Sequence, residues 1–296
     1  MGKKGKKAQA GKSKKLTPKD VGKRLNALAK NLEEELKGAD LFAPLPPTED
    51  CAVCFVPLSR MAANSTHFAC CGNVICTGCV EENGALIKRQ NEKKNAMKSK
   101  TDACPFCREL RPFEDGYIRQ LQARCLLNDH TALTVMGKIY QMGKYETPKD
   151  YLKALDYWVR AVELGSPDAS KDIGECYFKG WGVSEDMDRA DFFLRVGALR
   201  GCIVARHNIG CSEYYRLGNH EIGIRHWKIA AEAGSQLSLD SLRTIYNADS
   251  KQPGKELISK ECMDSLYRVC HDAQEEVQSE ERGKHCTGND ATKMKC

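Results

Sequence analysis

With 296 residues, 41% of them hydrophobic, the chain is long enough for about two packed domains and too apolar to be disordered throughout. Its formal net charge of +6 is concentrated, with seven lysines and no acid in residues 1–15, which speaks for a basic tail rather than a nucleic-acid-binding surface. Apolar runs such as Ala132 to Val135 fall far short of the about 20 residues of a membrane span, and the start lacks the apolar stretch of a signal peptide, so a cytoplasmic or nuclear protein with no membrane partner is expected.

Residues 1–17 combine lysine with Gly, Ala and Ser and hold no apolar cluster, the composition of a disordered tail. From Pro18 the pattern changes. Val21, Leu25, Leu28, Leu32 and Leu36 recur every three or four residues, Thr17 stands where an N-cap belongs and Gly38 where a helix stops, which predicts an amphipathic helix packed on a neighbouring domain. The segment APLPPTED, Ala43 to Asp50, then breaks structure, so residues 18–50 read as helix and linker ahead of a boundary at Cys51.

Sixteen cysteines without a signal peptide point to a reducing compartment, and there to metal rather than disulfides. Eight of them run Cys51-x-x-Cys54, fifteen residues, Cys70-Cys71, four residues, Cys76-x-x-Cys79, twenty-four residues, Cys104-x-x-Cys107. A Cys-x-x-Cys pair sits on a tight turn that aims both sulfurs at one ion. Zinc takes four such ligands in a closed tetrahedral site, so eight ligands predict two zinc ions.

The order and loop lengths of residues 51–108 resemble a RING domain, a small α+β cross-brace fold whose two zinc sites interleave. The resemblance assigns Cys51, Cys54, Cys76 and Cys79 to one zinc, and Cys104 and Cys107 to the other with two ligands from the stretch HFACC. Most RING domains place Cys-x-His in the middle, and here Asn73 stands where the histidine would fall. The four residues between Cys71 and Cys76 match all-cysteine variants and select Cys71. Its companion is Cys70 or His67. Adjacent ligands form a strained chelate ring, but thiolate is the stronger zinc ligand and eight cysteines close the count, which favours Cys70, with His67 then a solvent-facing loop residue.

RING ubiquitin ligases dock a ubiquitin-conjugating enzyme on a shallow apolar groove, and the resemblance places Val53, Pro105 and Leu86 or Ile87 in it, with Arg108 as the basic residue that bridges enzyme and ubiquitin. Such ligases have no nucleophile of their own and accelerate transfer by orientation. Between Lys88 and Lys100 the loop is basic and reads as solvated surface.

After a helical connector over 109–129, a repeat sets in. ALTVMGKIY from Ala132, ASKDIGECY from Ala169 and ARHNIGCSE from Ala205 each carry Gly five residues after Ala. The second halves align on Trp158, Leu194 and Trp227, on Ala161, Gly197 and Ala230, and on Gly165, Gly201 and Gly234. Small residues at fixed helical positions let paired helices approach closely while Trp fills the gap between them, so an all-α helical-repeat solenoid is predicted over 130–270. KGWGVSEDMDRA, Lys179 to Ala190, with Asp150, Lys153 and Ala154 in the first block, resembles the Sel-1-like subclass of tetratricopeptide-related repeats. A degenerate fourth unit from Ser238, with Tyr267 near the Trp column, is expected to cap the stack, leaving 271–296 as a tail.

Together the two resemblances imply a ubiquitin ligase whose zinc domain recruits the conjugating enzyme and whose repeats recruit a protein substrate. A non-catalytic adaptor with a purely structural zinc module is the alternative. His207, His220, His226 and His271 read as surface or packing residues, and Cys125, Cys176, Cys202 and Cys211 as small buried fillers.

Overall fold

A computed structural model describes residues 16–60, 65–84, 104–107, 109 and 114–275. In chain order it contains α1 (Pro18–Lys37) and an antiparallel hairpin of β1 (Ser65–His67) and β2 (Val74–Cys76), which pairs Ser65 with Cys76 and His67 with Val74. A helix α2 follows, described over residues 77–84. Then come α3 (Glu114–Leu126), α4 (His130–Met142), α5 (Tyr151–Glu163), α6 (Pro167–Lys179), α7 (Met187–Leu199), α8 (Ile203–Cys211), α9 (His220–Glu232), α10 (Gln236–Asn247) and α11 (Lys260–Glu275). None of the described helices is long and apolar enough to cross a membrane.

α4 packs with α5, α6 with α7, α8 with α9 and α10 with α11. The repeated residues explain why. A Cβ on Gly137 would lie 2.3 Å from Nε1 of Trp158, one on Gly210 2.7 Å from Nε1 of Trp227, and one on Gly174 3.1 Å from Cγ of Leu194, so in each pair the glycine is the socket for the large side chain opposite. Both indoles also donate to carbonyls of the facing helix, Trp158 to Thr134 at 3.2 Å and Trp227 to His207 at 3.1 Å, which satisfies the polar atom that burial would otherwise orphan. Gly165, Gly201 and Gly234 follow the second helices at φ of 91°, 97° and 91°, the left-handed turn that a Cβ disfavours. Side-chain oxygens start the helices: Asp129 caps α4, Asp150 caps α5, Ser166 caps α6 and Asp186 caps α7. Beyond α8 a π turn over Ser212–Arg216 brings the Tyr214 ring to 5.1 Å from Trp227.

α1 begins where Thr17 accepts the N–H of Asp20 and ends at Gly38. Its Val21, Leu25, Leu28 and Leu32 are buried in the same core as α4 to α7, each contributing about 2 kcal/mol by burial. This stripe faces α5 and α7. Its polar edge is held by Arg24 to Asp156 and by Arg200, whose guanidinium reaches both carboxylate oxygens of Glu35 at 2.9 and 2.8 Å. Past Gly38 the chain continues along the stack: Arg206 of α8 donates to the Leu41 carbonyl, and the Phe42 ring lies against His226 of α9 with the Arg225 guanidinium 3.9 Å above it.

The ends of the stack differ from the sequence reading in three places. Residues 1–15 lie outside the described residues, but Leu16, read as tail, packs against the core. Leu266, Met263 and Cys270 fill the fourth pair while Tyr267 is 38% exposed, because α11 turns the leucine rather than its aromatic neighbour inward. α11 also runs on to Glu275, past the point where a tail was expected.

Candidate metal centre

Two turns and the hairpin assemble a first cysteine cluster. The N–H of Cys51 donates to Val56 O and that of Phe55 to Cys51 O, both at 2.9 Å, closing the tight turn that carries Cys51 and Cys54. Cys76 ends β2 and Cys79 lies in the first turn of α2. The four sulfurs lie within 4.8 Å of one another, with Cys51 to Cys79 and Cys54 to Cys76 both at 3.8 Å. Cys70, Cys71, Cys104 and Cys107 form a second set within the same limit, with Cys71 to Cys104 at 3.6 Å. Sulfurs about 2.3 Å from a central zinc stand about 3.8 Å apart at the corners of a tetrahedron, so both sets have the dimensions of a structural zinc site.

The electrostatics agree. The hydrogen bond with Cys79 pushes the Cys51 thiol down to about 4, while burial pushes Cys54 up to about 12. Burial likewise pushes Cys70 and Cys104 up. Thiolates this close repel one another, so the sets ionise fully only around a divalent cation. Donors already face the sulfurs: the N–H of Cys76 lies 3.4 Å from Cys51 Sγ, and the Asn73 amide 3.4 Å from Cys71 Sγ. Asn73, the residue that departs from the common RING spacing, thus donates to a candidate ligand. The two sets differ in exposure. All four cysteines of the first are buried, whereas in the second only Cys104 is buried and Cys107 is exposed.

His67 is not the solvent-facing residue expected of it. Its side chain is buried, Nε2 stands 3.1 Å from Oδ2 of Asp129, and Nδ1 meets no partner among the described residues. It turns away from the sulfurs to a carboxylate beyond α3, and the vicinal pair supplies two atoms to the second set.

Val53 and Pro105, the predicted enzyme contacts, are half-buried beside the two clusters. Leu86, Ile87, Arg108 and the basic Lys88 to Lys100 loop lie outside the described residues. Sequence reasoning missed Phe55, which is 74% exposed at a φ of 57° immediately after Cys54. In CAVCFV it reads as one more apolar residue, and only the left-handed turn puts its ring into water.

Elsewhere, Cys125, Cys176 and Cys202 are buried, and the Cys202 sulfur also caps α8. Cys211 is half-buried and lies 3.5 Å from Nε2 of His207, whose Nδ1 is 2.9 Å from the Ser238 hydroxyl. Burial pushes the thiol up and the imidazole down, so this is a neutral packing pair. His226 is buried and held down at about 4, chiefly by that burial. A groove of about 590 Å³ opens between α6, α7 and α8, lined by Phe178, Leu194, Val204, Cys211, Tyr215 and other residues.

Residues 130–166, 167–201 and 205–235 match the Sel1 repeat family. No RING family model matches the chain. Among solved structures, a Sel1 repeat protein from Oxalobacter formigenes is 23% identical over 66% of this chain and 73% of its own, with a TM-score of 0.47. A protective antigen of uropathogenic Escherichia coli displaying an SLR fold is 24% identical over 52% of this chain and 33% of its own, with a TM-score of 0.43.

Proposed function

We propose that the chain is a RING-type ubiquitin-protein ligase, cytoplasmic or nuclear, in which a two-zinc module recruits a ubiquitin-conjugating enzyme and the Sel1 repeats recruit a protein substrate. The observation that carries this reading is the alternation of the two sulfur sets along the chain: 51 and 54, then 70 and 71, then 76 and 79, then 104 and 107. Each ion would tie together segments that the other also holds, as in a RING cross-brace. Cys51, Cys54, Cys76 and Cys79 would hold one zinc, and Cys70, Cys71, Cys104 and Cys107 the other. The zinc ions supply structure and no reactive group. Val53 and Phe55 lie on the first cysteine turn and Pro105 on the last, each beside a candidate ligand. With Arg108, they would seat the conjugating enzyme so that its thioester and ubiquitin meet in a reactive arrangement, a gain of orientation rather than covalent chemistry.

The repeats support the other half of the reading. α1 packs on α5 and α7 and the segment after it reaches α8 and α9, while the groove between α6, α7 and α8 offers a surface to a protein partner.

Autoubiquitination assays with a panel of conjugating enzymes test the reading. Activity with at least one enzyme is expected, reduced roughly tenfold or more by Val53→Ala or Pro105→Ala while two zinc ions per chain persist. Inactivity with every enzyme, together with unchanged enzyme binding on Val53→Ala, leaves the adaptor reading in its place.

A further inference from the structure

The loop that carries the vicinal cysteines faces two ways. Cys70 and Cys71 turn to the second sulfur set, while His67, Ala69 and Gly72 turn to the helical stack. Ala69 is buried in the same apolar core as Leu121 and Cys125 of α3. Gly72, at a φ of 81°, lies directly under the Arg124 side chain: a Cβ there would fall 1.8 Å from the guanidinium. His67 reaches Asp129 at 3.1 Å.

The His67 and Arg124 contacts converge on one carboxylate. Oδ1 of Asp129 accepts the N–H groups of Thr131 and Ala132, each at 3.0 Å, and so starts the first repeat helix. Oδ2 receives Nε of Arg124 at 3.0 Å and pairs with His67 Nε2. Hydrogen bonds within the loop, from the N–H groups of Cys71 and Gly72 to the Phe68 carbonyl at 3.1 and 2.7 Å, keep residues 67–72 in one turn, and metal ligation at Cys70 and Cys71 would fix that turn from its other side.

We infer that the second metal site is also the clasp between the cysteine module and the repeat stack, with Asp129 as its pin: metal holds the turn that presents His67, Ala69 and Gly72 to α3 and α4. Asp129 is a positioning residue. It sets the orientation of the module, and with it the surface carrying Val53 and Phe55, relative to the groove on the repeats. The inference rests on the zinc half of the proposed function and is independent of ligase activity.

Hydrogen exchange on the full, zinc-loaded chain, with zinc counted by native mass spectrometry, tests it. Asp129→Asn, which keeps an oxygen for the α4 cap, and Arg124→Met, which removes the guanidinium over Gly72 at similar side-chain length, are each expected to retain two zinc ions. Each should speed exchange roughly tenfold in both residues 65–72 and residues 124–132, segments far apart in sequence. Asp150→Asn, altering a cap with no partner in the module, should leave 65–72 unchanged. Chelating the zinc of the unmodified chain should open 124–132 as the variants do. A cap role alone would change 124–132 and spare 65–72, and that result, or protection of 124–132 that survives chelation, overturns the inference. An inactive chain with coupled exchange keeps the clasp and loses the ligase, and an active chain with uncoupled exchange does the reverse.

Discussion

The cysteine module and the helical stack hold their shapes by different means. In the module's own core cluster, five of the eight buried residues are cysteines, leaving Leu58, Phe68 and Ile75 as its apolar side chains. Three such residues bury too little surface to offset the chain entropy of a segment this long. In the stack, one core alone runs through α1 and α3 to α7 on Trp158, Phe193, Leu133, Leu155, Ile173 and many smaller residues. The difference teaches where each region's specificity lies. The module depends on eight atoms converging on two points, and the stack on shape repeated between neighbours.

The largest effect should therefore come from removing metal. Excess chelator is expected to abolish protection from hydrogen exchange over the described residues of 51–107, since binding and folding are one event in a site of this kind. Helicity measured by circular dichroism should persist through α4 to α11, whose pairs contain no sulfur cluster. Loss of most helical signal on chelation would break the comparison at its root.

A smaller effect separates the regions from the other side. Trp158→Ala empties the socket over Gly137 and is expected to cost about 3–5 kcal/mol. Urea titration followed by the helical signal should show that loss, while the zinc count stays at two per chain. Release of zinc by this substitution would mean that the stack and the module fold as one unit, and the contrast drawn above would not hold.

The repeats were legible because their geometry constrains single residues. A tryptophan over a glycine leaves a mark at each of Gly137, Gly174 and Gly210, and a left-handed turn leaves one at Gly165, Gly201 and Gly234. α1 was legible for a related reason, since periodicity and two caps define a helix without reference to its partner. What α1 covers was not, because Arg200 and Glu35 meet across 165 residues and nothing local in either announces the other. The same limit hid His67. A histidine three positions before a cysteine is equally suited to zinc or to a carboxylate, and its partner Asp129 lies 62 residues on, where it reads as an ordinary N-cap. Phe55 and Tyr267 show a third kind of limit. Each is an aromatic beside an apolar neighbour, and which of the two is buried depends on a backbone turn of about 100° per residue in a helix, or on a left-handed residue in a loop.

The smallest effect sharpens the claim that packing, rather than helix ends, carries the stack. Asp186 caps α7 through the N–H of Arg189 at 3.0 Å and pairs with the Arg189 side chain at 3.4 Å, both carboxylate and guanidinium being partly exposed. An exposed ion pair adds little, so Asp186→Ala is expected to cost about 1 kcal/mol, nearly all of it from the cap. Asp129 performs the same local task, but its second oxygen also holds Arg124 and His67. Asp129→Ala should therefore cost more than Asp186→Ala in the same urea titration, with the excess coming from the buried groups left unpaired. Equal costs at the two positions would show that the contact across to the module adds nothing to the stability of the stack. A cost at Asp186 approaching that of Trp158→Ala would move the stack's stability from its glycine sockets to its helix ends.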